Sequence, residues 1–298
     1  MYLFTFHGKV LAFDGVNLFQ TSSIDDARVL KWSPDATARV LPDEFSFSES
    51  HGGVLVSRQG KFASAIIKSD TVEVNRDWIG EWEVFLPVDR QTFDDCQLAM
   101  LSPNAERERF AKRVVELSRA GEPVTIYAGA GLVPRKGFLN LDIEMQAPGF
   151  FVKNRDDYFI FPFVCPWDIP ENCVDYVFSE DFIEHIPQLL QWQFLAETFR
   201  VLKTGGWHRV NTPSIIATMK AHSDFRKGFA GVYTGEERWG HVAMLSHMQL
   251  KEMAETVGYR ETVFTTKNHG VSSFAVEDCR PLADRDDVLG NIYADLLK

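Results

Sequence analysis

The distribution of apolar and polar positions changes character near residue 100. From residue 2 to about residue 88, apolar residues alternate with polar ones in short runs. Turn signals such as Phe13-Asp14-Gly15, Ser50-His51-Gly52-Gly53 and Arg58-Gln59-Gly60 break the alternation. A period of two with this punctuation marks half-buried strands. Strands are predicted at 2–6, 9–13, 16–20, 27–32, 53–57, 61–67, 71–74 and 82–86, and no helical period is present. Between Pro87 and Pro103 the stretch 89–95 is polar and unpatterned, which predicts a linker.

Beyond Asn104 the period lengthens. Asn104 predicts the cap of a helix over 105–119 with Phe110, Val114, Val115 and Leu117 on one side, and Gly121 predicts its end. Strands are predicted at 124–127, 138–142, 158–164, 174–178 and 208–211. The stretch 187–203 spaces Leu190, Phe194, Phe199, Val201 and Leu202 as a helix, and Gly205-Gly206 predicts its stop. Ser246 and Gln249 have capping-box spacing for a helix ending at Gly258, and two later strands are predicted at 259–266 and 272–276. Strand and helix alternating in this way predict an α/β sheet with right-handed crossovers, preceded by a small all-β domain. The expected domains are 1–95 and 104–298.

Composition narrows the class. A chain of 298 residues, 45% hydrophobic and 24% charged, reads as a soluble globular protein of two domains. A net charge of -11 repels a phosphate backbone and an anionic leaflet, so nucleic acid and membrane are disfavoured as partners. No run approaches the roughly 20 apolar residues of a membrane helix. The first residues carry no basic region followed by an apolar run, and a cytoplasmic location is expected. Cys96, Cys165, Cys173 and Cys279 lie apart, without a C-x-x-C pair or a ligand-spaced histidine, which predicts free thiols and no metal ion. The oligomeric state is left open.

Two stretches of the first domain read as imperfect copies. One runs from His7-Gly8-Lys9-Val10-Leu11 to Trp32, the other from His51-Gly52-Gly53-Val54-Leu55 to Trp82-Glu83-Val84-Phe85. Their offset of about 44 residues is that of stacked or pseudosymmetric units. The pairing resembles the repeats of fascin-type β-trefoil proteins, of whose three units two are visible; a small barrel or sandwich is the other reading. The resemblance implies a module that recruits a glycan or a partner, and a structural cap is the alternative.

The candidate chemistry lies in the second domain. Ile126-Tyr127-Ala128-Gly129-Ala130-Gly131 runs a strand into a Gly-x-Gly turn. There backbone amides can approach a bulky ligand, or a tight turn alone requires glycine. Leu139-Asn140-Leu141-Asp142 ends the adjacent strand on a carboxylate, an acceptor-only group able to take both hydroxyls of a ribose. Further on, Val174-Asp175-Tyr176-Val177-Phe178-Ser179-Glu180 leads through Asp181-Phe182-Ile183-Glu184-His185 to Arg200-Val201-Leu202-Lys203-Thr204-Gly205-Gly206 and to Asn211-Thr212-Pro213.

On these motifs the region 104–298 resembles the class I S-adenosylmethionine-dependent methyltransferases, in particular a compact type 11-like subgroup. The resemblance implies a Rossmann-like, doubly wound sheet of seven strands with S-adenosylmethionine as cofactor. It puts Ala128, Gly129 and Gly131 against the methionine portion, Asp142 on the ribose, and Ser179 and Glu180 at the same edge. The family's third-strand acid, which meets the adenine, has no counterpart in 161–166, and either Asp168 or backbone takes that role. Ala128 and Ala130 also stand where the family often has an acid or a cysteine. Arg135 and Lys136 either meet a carboxylate of cofactor or substrate or are solvated.

Glu184-His185 matches the family's Glu-His pair near the transfer centre. His185 there either takes a proton from the acceptor, as an imidazole can near neutral pH, or only lines the pocket. His241 is the second catalytic candidate, and 221–240 with Phe225, Phe229, Tyr233 and Trp239 is the expected substrate lid. The expected function is methyl transfer from S-adenosylmethionine to a small-molecule or glycan acceptor. The alternative is a binding or scaffold protein whose methyltransferase fold has lost its cofactor.

Overall fold

Alternation in the first part of the chain becomes an antiparallel sheet, and the longer period of the second becomes a mixed one. The computed structural model describes residues 1–33, 42, 44–50, 53–66, 69–80, 83–131, 133–164, 166–216, 241–278 and 291–298. The expected lid at 221–240, with Phe225, Phe229, Tyr233 and Trp239, lies outside the described residues, as do His51, Gly52, Trp82, Leu132, Cys165 and Cys279. The chain divides into one unit of residues 1–103 with 144–155 and a second of residues 104–143 with 156–298. No described helix is long and apolar enough to cross a membrane.

The first unit holds β1 (Tyr2–Phe4), β2 (Val10–Phe13), β3 (Leu18–Thr21), β4 (Phe45–Ser50), β5 (Gly53–Arg58), β6 (Lys61–Ala65), β7 (Val72–Arg76) and β8 (Val84–Val88). Their order is β3-β2-β1-β8-β5-β6-β7, with β4 added on β5, and every pairing is antiparallel. The two ends of this path touch. Phe19 of β3 bridges Thr71 next to β7, and the Gln20 amide donates to the Asp70 carbonyl at 2.8 Å. The sheet therefore curls around Leu3, Leu11, Leu30, Val54, Val56 and Phe85, which leaves few open edges.

Three local differences from the sequence reading have physical reasons. Residues 27–32 join β1 and β2 through isolated bridges at Val29 and Lys31, not as a strand. The strand β4 was unmarked because Phe45-Ser46-Phe47-Ser48-Glu49-Ser50 exposes three of its polar positions and fully buries only Phe45. The polar stretch after Val88 is no linker: Asp89 accepts from the Thr92 amide at 2.8 Å and caps α1 (Arg90–Leu101). That helix buries only Phe93, Cys96 and Ala99, a stripe too narrow to show as a period.

The second unit opens with α2 (Pro103–Ala120), where proline occupies the first position and Asn104 lies inside the helix. Then follow β9 (Thr125–Ala128), β10 (Leu139–Asp142), β11 (Tyr158–Ile160), β12 (Val174–Glu180), α4 (Gln188–Val201), β13 (Leu202–Pro213), α5 (His247–Val257), β14 (Glu261–Phe264) and β15 (Asn291–Leu297). Between β10 and β11 the chain carries α3 (Pro148–Lys153), which belongs to the first unit. The sheet order is β11-β10-β9-β12-β13-β15-β14. The first five strands run parallel, and β15 runs antiparallel to both its neighbours. This is an α/β Rossmann-like arrangement, and its order reverses between β9 and β12. In such sheets the carboxyl ends of the strands leave a crevice at that point.

Central strands here are buried on both faces, as parallel strands under helices must be. All four residues of β9 and of β10 are buried. The capping box at Ser246 and the stop at Gly258 stand as the sequence reading has them.

Two expectations are corrected. The final strand is not 272–276 but Asn291–Leu297, buried along its whole length. Its polar Asp295 accepts from Arg209 at 2.9 Å, and Arg209 also donates to Asp278 at 2.9 and 2.7 Å, with all three side chains fully buried. The Gly205-Gly206 pair is not a helix stop. The strand β13 begins directly after α4, and residues 203–206 loop out between Leu202, paired with Val174, and Trp207, paired with Tyr176. A Cβ on Gly206 would lie 2.9 Å from the Lys203 carbonyl oxygen and 3.1 Å from that of Asp175, so the bulge itself demands glycine.

Candidate functional site

At the carboxyl end of β9 the chain turns through Gly129 (φ +75°) and Gly131 (φ +54°), both in the left-handed region. The amides of Gly129 and Ala130 donate to the Leu141 carbonyl at 3.0 and 3.1 Å, and the Gly131 amide donates to Asp142 Oδ2 at 2.8 Å. Asp142 Oδ1 accepts from the Ile143 amide at 2.7 Å. The turn is thus folded onto the end of β10. Ala128 is fully buried within β9. A Cβ on Gly129 would lie 2.7 Å from Phe182 Cβ, so this glycine also admits the Phe182 ring, which packs on Phe163 and Phe194 with centroids 4.8 and 5.0 Å away.

Ser179 lies inside the sheet, with its hydroxyl 3.0 Å from His208 Nε2. Burial pushes the His208 pKa down to about 3, so the ring is neutral. Glu180, at the strand end, accepts from Asn211 Nδ2 at 2.5 Å, and Asn211 in turn accepts from Asn291 at 2.9 Å. Asp168, in a left-handed backbone conformation, is held by Arg107 of α2 in an ion pair of 2.9 Å. Arg135 is half-buried: its guanidinium lies over the Phe178 ring at 5.2 Å and donates to the Glu277 carbonyl. Lys136 is exposed.

Beyond β12 a single 3-10 turn, Ile183–His185, brings Glu184 inward and leaves His185 exposed. Glu184 has no exposed surface, and its Oε2 accepts from the Thr212 hydroxyl of β13 at 2.9 Å. Its backbone carbonyl accepts from the amides of Val242 and Ala243 at 2.9 and 3.1 Å, which docks the segment before α5 on the turn. His241 arrives with that segment, 9% exposed, its Nε2 3.9 Å from Glu184 Oε1. The rings of His185 and His241 stand 5.0 Å apart at 74°. One donor atom from each of Glu184, His185 and His241 lies within 4.8 Å of the others.

Of the predicted residues, Gly129, Gly131 and Asp142 stand in one corner of a sheet edge and His185 with His241 in another, whereas Asp168 is in neither. Ser179 stands behind them in the sheet. Sequence reasoning missed Thr212 and Asn211 as supports and the role of His208. Their only signal was their place at or near the end of the predicted strand 208–211.

No family model matches the chain, and no curated protein matches it. Among solved structures it is similar to an S-adenosylmethionine-dependent methyltransferase from Archaeoglobus fulgidus. The two are 12% identical over 62% of this chain and 92% of the other, with a TM-score of 0.41. It is also similar to phosphoethanolamine N-methyltransferase 2 of Haemonchus contortus, solved with phosphomonomethylethanolamine and S-adenosylhomocysteine. There the identity is 17% over 75% of this chain and 57% of the other, with a TM-score of 0.38. The strand order, not these likenesses, defines the second unit as α/β and Rossmann-like.

Proposed function

We propose that the second unit, which holds all of the expected 104–298 domain except residues 144–155, is an S-adenosylmethionine-dependent methyltransferase acting on a small-molecule or glycan acceptor. One observation carries this reading: the Gly131-Asp142 corner and the Glu184-His185-His241 corner stand on the same edge, at either side of the reversal in strand order. Asp142 is the residue to hold the ribose of the cofactor. As an ionised carboxylate it is acceptor-only, the chemistry that the two hydroxyls of a ribose require. Glu180, fixed by Asn211, lines the edge between the two corners. When bound, S-adenosylmethionine supplies an activated methyl group, so the protein's part is alignment and the handling of a proton. His185 and His241 are the groups placed to hold the acceptor.

The first unit is assigned to recruiting that acceptor or a partner. In support, a cavity of about 540 Å³ is lined by Trp32, Glu49, Ser50, Gly53, Val54 and Pro87, a mixture of apolar and hydrogen-bonding groups. A glycan array probed with the full chain tests this assignment, and a blank array removes the glycan.

Calorimetry with S-adenosylmethionine and S-adenosylhomocysteine at near-millimolar concentration is the direct test of the main reading. Heat of binding from the wild-type chain supports it; none from either ligand removes it. A scaffold without cofactor is the second reading, favoured by the Phe182 ring on Gly129, which explains that glycine through packing alone. It expects Asp142→Ala to leave the response to both ligands unchanged.

A further inference from the structure

We propose that Glu184, His185 and His241 bind a divalent first-row transition-metal ion. The sequence reading expects no metal on the spacing of the cysteines, and along the chain His241 is remote from the Glu184-His185 pair. The fold removes that distance. Two imidazoles and one carboxylate, with donor atoms within 4.8 Å of one another, are a ligand set that such ions take up while keeping positions open for water or substrate.

Bonds of about 2.0–2.2 Å hold neighbouring ligand atoms roughly 3–3.5 Å apart, so the site has to close by little more than an ångström. The parts are arranged for that closure. Thr212 fixes Glu184 through Oε2, as the outer hydrogen bond of a metal-ligating carboxylate does. The amides of Val242 and Ala243, bonded to the Glu184 carbonyl, fix the approach of His241. His185 is exposed and is the arm free to rotate. Any charge bound here stands against a carboxylate with no exposed surface.

Imidazole donors select against magnesium and calcium, which take oxygen ligands. The exposed side of His185 faces outward, and there the open coordination positions would hold an oxygen or nitrogen of the acceptor. In this assignment both histidines are ligands and neither is a general base. Ion binding stands apart from the methyl-transfer reading, whereas the ion's part in holding an acceptor rests on it.

The test is titration of metal-free full-length protein with Co²⁺, followed by visible absorption, with Zn²⁺ as competitor. The expected result is uptake of one ion per chain, displaced by Zn²⁺ and unaffected by excess Mg²⁺. Loss of an outer hydrogen bond costs a metal site up to about 100-fold, so His185→Ala and His241→Ala should each weaken uptake by at least that factor. His269→Ala, in an exposed loop, should leave it unchanged. His185→Ala decides the matter if Glu184→Gln or His241→Ala fails to fold, because His185 is exposed. Absence of stoichiometric uptake, displacement by Mg²⁺, or uptake that survives His185→Ala overturns the proposal. S-adenosylhomocysteine calorimetry on the same protein separates the two readings. Metal uptake without cofactor binding keeps the metal site and removes the methyltransferase; the reverse outcome removes the metal site alone.

Discussion

The two corners of the sheet edge are built on opposite plans. At Gly129–Asp142 the chain folds on itself: amides of the turn reach Leu141 and Asp142, and the space over Gly129 is filled by Phe182. At Glu184–His185–His241 the side chains come from separate segments, held by Thr212 and by the amides after His241, and their donor atoms converge. The first corner is a shape that a ligand would use as found. The second is a set of reactive groups gathered at one point. A carboxylate held by backbone amides and one gathered with two imidazoles do different work even when both sit at strand ends.

The largest expected effect tests the first plan. Gly129→Ala places a side chain at φ +75°, a penalty of about 1–2 kcal/mol, and drives it into Phe182, where overpacking adds about 1–3 kcal/mol. Chemical denaturation should show a loss of roughly 2–5 kcal/mol. In a double-mutant cycle with Phe182→Ala the two changes should couple by about 1 kcal/mol or more. Additive behaviour would mean that Phe182 is not what the glycine serves.

His208, behind both corners, gives the next largest. Burial pushes its pKa from 6.5 in the unfolded chain down to about 3 in the fold. Between those values the unfolded chain binds a proton that the folded one refuses, so this contribution to stability is full above 6.5 and is lost as pH falls. From pH 6.5 to 5 the loss should be about 2 kcal/mol. His208→Gln should flatten this part of the pH profile of thermal melting; a variant with the wild-type slope would place the titration elsewhere.

Asp142→Asn should cost about 1–2 kcal/mol, because the amide group of asparagine meets either the Gly131 or the Ile143 amide with a donor. In the methyltransferase reading it should also weaken S-adenosylhomocysteine binding about tenfold or more. The smallest stability effect belongs to the second corner. His185→Ala, at an exposed position, should change stability by less than about 0.5 kcal/mol while weakening Co²⁺ uptake, as the metal proposal expects. A melting shift as large as that of Asp142→Asn would make the two corners alike after all.

Much of the edge was legible along the chain. Largely apolar stretches mark β9 and β12 because both faces of those strands are buried, Asp142 stands out as the acid that ends β10, and Glu184 as an acid shortly beyond β12. The strand β15 was not legible, since its Asn291 and Asp295 look like loop residues until Asn211 and Arg209 from β13 satisfy them. The Gly205-Gly206 pair misled for a related reason: a glycine required by nearby carbonyl oxygens carries the same letter as one that ends a helix. Ser179 reads as a ligand contact at a strand end, and only the neighbouring strand reveals His208 beside it. The meeting of His241 with Glu184 depends on backbone hydrogen bonds between distant segments, which leave no periodic trace.

Ser214 bridges Leu245, and the Ile215 amide donates to the Leu245 carbonyl at 3.0 Å, so the two ends of the stretch 217–240 are tied at their base. With the two amides on the Glu184 carbonyl, this bridge holds His241 to the strand ends by backbone contacts alone, so side chains on either side of it can change over a lineage while the imidazole keeps its place.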